Sequence, residues 1–309
     1  MTAHVAKDLL LGKIMTMRRA TLVLSGGGTK GAFQVGAEQV LREQGGFEWE
    51  RVFGVSVGAL NGALLAQGEY QRLLDVWRTI RQEDVYRKVW WPVIAWRLAA
   101  LRKTGIYDAR ALRKTIEKHV AGRPFKIPLY VGRVSLTSGA YEVVNSESPD
   151  ILDAVWHSAT MPVIWEPVGT GAWVDGGLRN VTPLGDALDH NPPPTALVVI
   201  NCSPDQPEPA EPPKDIIAAA KRAINDIATN EIMVSDVREF VRINQLVRQA
   251  RTKGFTLDKD DGTPYHDYDI TVIQPRIPLG DTLDFSRELI EQRLEAGRAA
   301  AREFLSARS

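Results

Sequence analysis

The segment Thr21-Leu-Val-Leu-Ser-Gly-Gly-Gly-Thr-Lys-Gly31 joins a short apolar run to three consecutive glycines, and residues 32–43, which have helical periodicity, follow it. A second segment, Arg51-Val-Phe-Gly-Val-Ser-Val-Gly58, leads in the same way into the small and apolar residues of 57–66. Strand, glycine-containing turn and helix therefore occur twice near the start of the chain. This alternation predicts parallel strands joined by right-handed crossovers, and so an α/β fold.

The rest of the chain continues with further strands and helices. Residues 129–136 and 141–145 flank Thr137-Ser-Gly-Ala140 and predict a β-hairpin. The other predicted elements are a helix at 149–159, a strand at 196–201, helices at 214–229 and 232–252, a strand at 268–274, and a helix at 284–305 with Asp284 or Ser286 as N-cap.

The organisation that these elements indicate is a single domain, because the last strand and helix return to the first layer. We predict an N-terminal extension at 1–18 and one α/β domain at 19–309. Within it, residues 204–213 form an exposed proline-rich loop, and residues 214–252 form a helical insertion.

The composition limits the function classes. Hydrophobic residues make up 44% of the 309 residues, which excludes disorder over most of the chain. Lys and Arg total 38, as do Asp and Glu, so the net charge is zero and nothing indicates a nucleic-acid partner. The single cysteine, Cys202, excludes a disulfide scaffold and a cysteine-based zinc cluster. No apolar run reaches the roughly 18 residues that a membrane span needs, and the start does not resemble a signal peptide, so we expect a cytoplasmic protein.

The pentapeptide Gly54-Val-Ser-Val-Gly58 has the G-x-S-x-G pattern between a predicted strand and a predicted helix. The glycines on either side leave room for a sharp turn that exposes the hydroxyl of Ser56 at the carboxyl edge of the sheet. The same turn places developing negative charge at a helix N-terminus, which favours anions. Such pentapeptides also occur by chance, but this context predicts a nucleophilic serine.

The triple glycine is the second candidate for chemistry. Backbone N–H groups of Gly26, Gly27 and Gly28 can point together at one oxygen and form an oxyanion hole. Lys30 either contacts the substrate or covers the surface. An alternative is a dinucleotide-binding G-x-G-x-x-G over Gly26–Gly31, with Glu48 or Glu50 as the ribose-binding acid.

A third candidate, Asp175-Gly-Gly177, supplies a carboxylate, although Asp-Gly is also a frequent turn pair. No histidine lies in a recognisable catalytic setting. His190 and His266 follow Asp175, so a Ser–Asp–His order stays formally open. If Asp175 contacts Ser56 directly, a desolvated carboxylate accepts the proton itself.

These three segments, in this order, resemble the patatin-like phospholipase family. Ser158-Ala-Thr-Met-Pro162 and Leu136-Thr-Ser-Gly139 are similar to two further segments of that family, and the likeness covers roughly 20–202 and 268–305. The resemblance implies a three-layer α/β/α fold with a mainly parallel central sheet. Residues 191–206 and 214–252 do not align with the family pattern.

For the chemistry, the resemblance implies a Ser56–Asp175 dyad without histidine, metal or cofactor, and an oxyanion hole in the triple glycine. Ser56 is the nucleophile, and Asp175 is the base that later activates water. The implied reaction is hydrolysis of a fatty-acyl ester of a lipid or phospholipid through an acyl-enzyme.

Residues 85–107 contain no acidic residue before Tyr107 and five basic ones, interleaved with Trp90, Trp91 and Trp96. Tryptophans flanked by cations suit a lipid surface, so this segment is a candidate peripheral membrane contact. The alternative is a helix whose tryptophans pack on the core.

Two further functions stay open from the residues alone. One is an NAD-dependent oxidoreductase that uses Gly26–Gly31, and the other is a lipid-binding scaffold without catalysis. The sequence pattern is neutral about the oligomeric state.

Overall fold

A mainly parallel sheet forms the centre of the fold, as the computed structural model shows. The structure describes residues 17–86, 90, 92–93, 96, 104–107, 109–207 and 209–308. The strands are β1 (Arg18–Leu24), β2 (Phe47–Gly54), β3 (Gly105–Tyr107), β4 (Leu129–Ser135), β5 (Tyr141–Asn145), β6 (Val163–Trp165), β7 (Trp173–Asp175), β8 (Ala196–Ile200) and β9 (Asp269–Ile273). The main sheet has the order β5-β4-β2-β1-β8-β9, with β7 also paired to β4, and β3 pairs with β6 separately.

The helices flank this sheet. They are α1 (Gly31–Glu43), α2 (Val57–Ala66), α3 (Tyr70–Thr79), α4 (Gln82–Val85), α5 (Arg110–Val120), α6 (Ile151–Ser158), α7 (Leu184–Leu188), α8 (Ile216–Lys221), α9 (Thr229–Thr252) and α10 (Arg287–Ser306). A π-helical stretch, Arg222–Ala228, joins α8 to α9, and short 3-10 turns cover Gly28–Lys30 and Gly176–Leu178.

The register of the central strands brings their carboxyl ends to one edge. In β1, Leu24 lies opposite Gly54 of β2 and Ile200 of β8, and all three strands are parallel. The turns that follow β1 and β2 therefore lie side by side. This edge is where α/β sheets commonly bind ligands.

Successive side chains along the strands point to opposite faces of the sheet, and both faces are buried. Leu22 and Leu24 belong to the larger core, which also contains residues of α1, α2 and α10. Val23, between them, points to the opposite face and packs with Leu184 of α7 and Phe240 of α9. Because both faces carry helices, the predicted three-layer α/β/α architecture is confirmed.

The sequence predicted most elements to within a few residues, including the hairpin of β4 and β5, which is antiparallel. The predicted break between helices at 214–229 and 232–252 is wrong. Helical backbone continues from Ile216 to Thr252 through the π-helical stretch, since no glycine or proline interrupts it.

The boundaries of the predicted units are not tested by this architecture and stay predictions. Arg18, which we assigned to the extension, already belongs to β1, whereas residues 1–16 lie outside the described chain. Among the described helices, none has both the length and the apolar character needed to cross a bilayer.

Candidate active site

Ser56 lies two residues after the end of β2, at the N-cap of α2, with φ 57° and ψ −126°. Non-glycine residues rarely adopt a positive φ, and such strain is typical of nucleophile turns. A Cβ on Gly58 would overlap the Leu24 carbonyl, and one on Gly54 would overlap the backbone of Gly58. Only glycine therefore allows this tight crossing of β1, β2 and α2.

Asp175 ends β7 and is 1% exposed. Its Oδ1 accepts a hydrogen bond of 2.8 Å from the N–H of Gly177. The backbone N–H of Asp175 donates to the Thr160 carbonyl at 3.0 Å, and that of Ser56 donates to Ser158 Oγ at 2.9 Å. The last residue of α6 and the short segment after it therefore hold both residues in place.

Burial raises the pKa of the Asp175 carboxyl to about 7, and the Ser56 hydroxyl and the Gly177 N–H partly offset this effect. Asp175 Oδ2 has no hydrogen-bond partner among the described residues, so this oxygen is the one left to accept a proton. The Ser56 hydroxyl thus lies beside a carboxylate whose pKa is close to neutral pH.

The triple glycine turns beside Ser56. A Cβ on Gly26 would come within 3.3 Å of the Ser56 Cβ, and Gly28 has φ 57°. Along the described chain, the N–H groups of Gly27 and Gly28 have no hydrogen-bond partner, whereas the N–H of Thr29 donates to Thr282. Two adjacent amides are therefore available to an anion.

Our expectation that Gly26 is also a donor needs correction. Its N–H donates to the Val181 carbonyl at 3.0 Å, so it is already used to hold the loop after Asp175. The candidate oxyanion hole is thus reduced to Gly27 and Gly28.

A cleft of about 460 Å³ opens over Ser56, Asp175 and the triple glycine. This volume falls within the range of roughly 300–1,000 Å³ that is typical of small-molecule sites. Most of its lining is apolar: Leu60, Leu64, Leu73, Val76, Trp77, Leu112, Ile116, Met161, Ile164, Trp165 and Met233. Its polar side is formed by Lys30, Gln206, Lys221, Arg222, Asp226, Asn230 and Asp281.

The apolar arm of this cleft follows α2. Leu60 and Leu64 line it at helical spacing from Ser56, and residues of α3 and α5 line the other sides. Leu64 is the last residue of α2 that lines the cleft. The rise of an α-helix gives roughly 12 Å between Ser56 and Leu64. This arm can enclose an extended apolar chain.

The histidines do not join the serine and the carboxylate. His190 contacts Arg51 and Tyr130, each at 2.6 Å, and does not line the cleft, while His266 is exposed. His157 is buried, with its pKa lowered to about 4, and His119 lines the cleft on α5. Within the described chain, no histidine hydrogen-bonds to Ser56 or Asp175.

The structure does not place the acidic residue where a dinucleotide-binding site would need it. A ribose-binding acid should lie at the carboxyl end of the second strand. Glu50 lies four residues before that end and accepts a hydrogen bond from Thr21. Ser56 occupies the position next to the triple glycine instead.

The proposed interface residues have different surroundings. Lys30 lines the cleft. Trp90 is 76% exposed and Trp96 is 56% exposed, so neither packs fully into the core. Trp91 lies outside the described residues, as does most of 87–103.

One group of cleft residues, and one buried residue that does not line the cleft, were not predicted from the sequence. The helical insertion contributes Asn230, Met233 and others, and no local pattern marks them. Arg293 was also missed, although it does carry a signal. It interrupts the apolar stripe of α10 between Ile290 and Leu294, where a charged residue is rarely found.

The profile of a family described as patatin-like phospholipase matches residues 22–188, which is more than half of the chain. The Bacillus subtilis protein YqhO, described as uncharacterized, is 29% identical over 194 residues, covering 52% of this chain and 64% of that protein. The crystal structure of VipD from Legionella pneumophila superposes with a TM-score of 0.46 and 14% identity, covering 93% of this chain and 66% of that one. The chain thus spans just under two thirds of either protein.

Proposed function

Because the chain belongs to the patatin-like phospholipase family, we propose that it is a lipid acyl hydrolase that cleaves fatty-acyl esters of phospholipids or related lipids through Ser56 and Asp175. The observation that carries this proposal is the placement of the two residues. A serine in a strained turn faces a buried carboxylate at the base of a largely apolar cleft.

The first step is acylation. Asp175 accepts the Ser56 proton while Oγ attacks the ester carbonyl, whose oxygen gains negative charge near the N–H groups of Gly27 and Gly28. The tetrahedral intermediate then collapses, and the leaving alcohol takes the proton from Asp175. An acyl-enzyme on Ser56 and an ionised Asp175 remain.

The second step is hydrolysis of that ester. Asp175 accepts a proton from water, the hydroxide attacks the acyl carbonyl, and Ser56 Oγ leaves and recovers the proton. The fatty acid is released and the enzyme returns to its starting state. A carboxylate with an ordinary pKa near 3.9 is a weak base, and the pKa of about 7 at Asp175 makes this role feasible at neutral pH.

The two sides of the cleft suit the two parts of such a substrate. The apolar arm beside α2 would enclose the acyl chain, since burial of methylene groups stabilises the complex by about 0.8 kcal/mol each. The polar side, with Lys30 and the ion pair of Lys221 and Asp281, would receive the alcohol portion.

We expect the unmodified protein to release free fatty acid and the corresponding lysolipid from a mixed phospholipid suspension. Ser56→Ala should lower that release by a factor of about 10³ or more, because the nucleophile is lost. Mass spectrometry of the products identifies the lipid class and the position cleaved. Equal release by both proteins would contradict the role of Ser56, and no release by either would favour the non-catalytic scaffold.

The exposed tryptophans lead to a second expectation. If the segment 85–107 rests on a lipid surface, replacing Trp90 and Trp96 together by Ala should weaken binding to liposomes containing anionic lipid by about tenfold. Hydrolysis of a soluble short-chain ester should stay unchanged. Cosedimentation and an ester assay measure the two effects.

A suitable control for that experiment is Phe255→Ala. Phe255 is an aromatic residue that is 69% exposed, but it lies outside the segment 85–107, just after the C-terminus of α9. It should leave liposome binding intact. A parallel loss of ester hydrolysis in the tryptophan variant would show that these side chains support the fold instead.

A further inference from the structure

Arg293 is among the largest fully buried side chains of the described protein, with 1% of its surface exposed. It lies on α10, between Ile290 and Leu294, which belong to the main core. Burying a guanidinium is costly unless its donors are satisfied. Its position therefore calls for a structural or functional reason.

The guanidinium is held by neutral oxygens. Its Nε donates to the Leu279 carbonyl at 2.9 Å and its Nη2 to the Asp281 carbonyl at 2.7 Å. Its Nη1 donates to the Asp284 carbonyl at 3.2 Å and to the Thr29 hydroxyl at 2.6 Å. One side chain of the last helix thus joins the loop at 279–284 to the turn after β1.

The same loop supports the candidate oxyanion hole. The Thr282 carbonyl accepts the Thr29 N–H at 2.9 Å, and the Thr29 hydroxyl donates to the Asp281 carbonyl at 3.3 Å. Gly28 packs so closely on Thr282 that a Cβ would overlap its carbonyl. The position of the Gly28 amide therefore depends on a loop that Arg293 holds.

The positive charge of Arg293 also lies close to the turn after β1, because its guanidinium contacts Thr29. All four of its hydrogen bonds go to carbonyl or hydroxyl oxygens, while the carboxylate of Asp281 pairs with Lys221 at 3.2 Å. Burial lowers the pKa of the Arg293 guanidinium, but arginine stays protonated in proteins. A positive charge thus lies one side chain away from the triple glycine in a water-poor interior. The carboxylates of Asp284 and Asp281 offset part of it, and the remainder favours negative charge at the turn.

We propose that Arg293 is a positioning residue of the oxyanion hole, acting through Thr29 and the 279–284 loop on the amides of Gly27 and Gly28. The inference rests on the proposed hydrolase function and extends it to a residue far outside the matched region 22–188. Its effect belongs to the transition state, because the oxyanion exists only there.

The test compares Arg293→Met and Arg293→Lys with the unmodified protein on a soluble short-chain ester. We expect Arg293→Met to lower kcat by about 10- to 100-fold while KM changes less than about threefold, since loss of one oxyanion donor costs about 10²–10³ in kcat. Arg293→Lys should recover part of kcat, because it restores the charge without the full set of hydrogen bonds.

Thr29→Val provides a variant that keeps Arg293 and its fold contacts while removing only the hydroxyl link. We expect it to lower kcat by about 3- to 10-fold at constant KM, in line with the net loss of one ordinary hydrogen bond. If Arg293→Met does not fold, Thr29→Val and Arg293→Lys decide the question. Unchanged kcat in both would overturn the proposal.

The control is Arg298→Met on the same helix. Arg298 contacts Gln39 of α1 and Glu295, away from the triple glycine. It should lose thermal stability without losing kcat per folded molecule. If the unmodified protein hydrolyses no ester, the proposed function fails. If it is active and Arg293→Met loses only stability, as Arg298→Met does, the positioning role alone fails.

Discussion

Replacing Asp175 by Asn is expected to reduce kcat for ester hydrolysis by about 10³- to 10⁴-fold, as for other enzymes that lose the carboxylate partner of the catalytic unit. The amide has almost the same shape but cannot accept the Ser56 proton. The amide nitrogen would take the place of Oδ2, which has no hydrogen-bond partner among the described residues, while Oδ1 keeps its bond from Gly177. Steady-state kinetics on a soluble ester measures the loss.

The pH dependence of kcat/KM in the unmodified protein also tests Asp175 as the base. Burial raises the Asp175 pKa from 3.8 to about 7, and only the ionised form accepts a proton. The value of kcat/KM should therefore rise tenfold per pH unit below about 7 and level off above it. If kcat/KM instead levels off already above about pH 4, Asp175 is not the base.

The Asn variant also separates catalysis from folding. Because the pKa of Asp175 is higher in the folded than in the unfolded state, the folded protein binds more protons between about pH 4 and 7. Stability therefore falls as pH rises through this window, and the cost persists above it. Asp175→Asn removes that cost, so its melting temperature should exceed that of the unmodified protein at pH 8 and match it near pH 4.

His190→Ala is the matched control for the histidine-dependent alternative. His190 bonds to Tyr130 and Arg51 and does not line the cleft. Its removal should leave kcat and the pH profile unchanged. A loss comparable to that of Asp175→Asn would reinstate a serine–aspartate–histidine triad.

Replacing Gly28 by Ala is expected to lower kcat by about 10²- to 10³-fold, the typical effect of losing one oxyanion donor. An added Cβ would overlap the Thr282 carbonyl, and φ 57° is unfavourable for alanine. The turn must then shift, and its amides no longer point together into the cleft. Steady-state kinetics together with circular dichroism measures activity per folded molecule.

Gly122→Ala separates backbone strain from the clash. Gly122 has φ 75°, but a Cβ there meets nothing within 4 Å. This variant should lose a similar amount of backbone stability and keep its kcat. If Gly28→Ala lowers activity no more than Gly122→Ala does, the triple glycine has no role in transition-state stabilisation.

Local sequence patterns were sufficient to predict the elements that position the candidate site. The glycines around Ser56 predict a sharp turn, and the structure places that turn at the carboxyl edge of β2. Apolar runs on either side predict buried parallel strands. Asp175 lies near Ser56 because β7 pairs with the end of β4, Arg133 to Ser135, just beyond Val131, which pairs with Gly54 of β2.

Contacts between distant parts of the chain could not be predicted in this way. Gly26 looks equivalent to Gly27 in the sequence, and only the Val181 carbonyl distinguishes its amide. The helical insertion reaches the cleft through Met233 and the opposite face of the sheet through Phe240. Its helical periodicity does not reveal either contact.

Covalent labelling of the nucleophile tests the central claim most directly. An organophosphonate ester transfers its phosphonyl group to an activated serine oxygen and releases its leaving group, and peptide mass spectrometry then locates the added mass. The account predicts one added group, on Ser56, formed at neutral pH, slowed by about 10³-fold in Asp175→Asn and unaffected by His190→Ala. Modification of a different residue, or labelling of Ser56 at the same rate without Asp175, would contradict it.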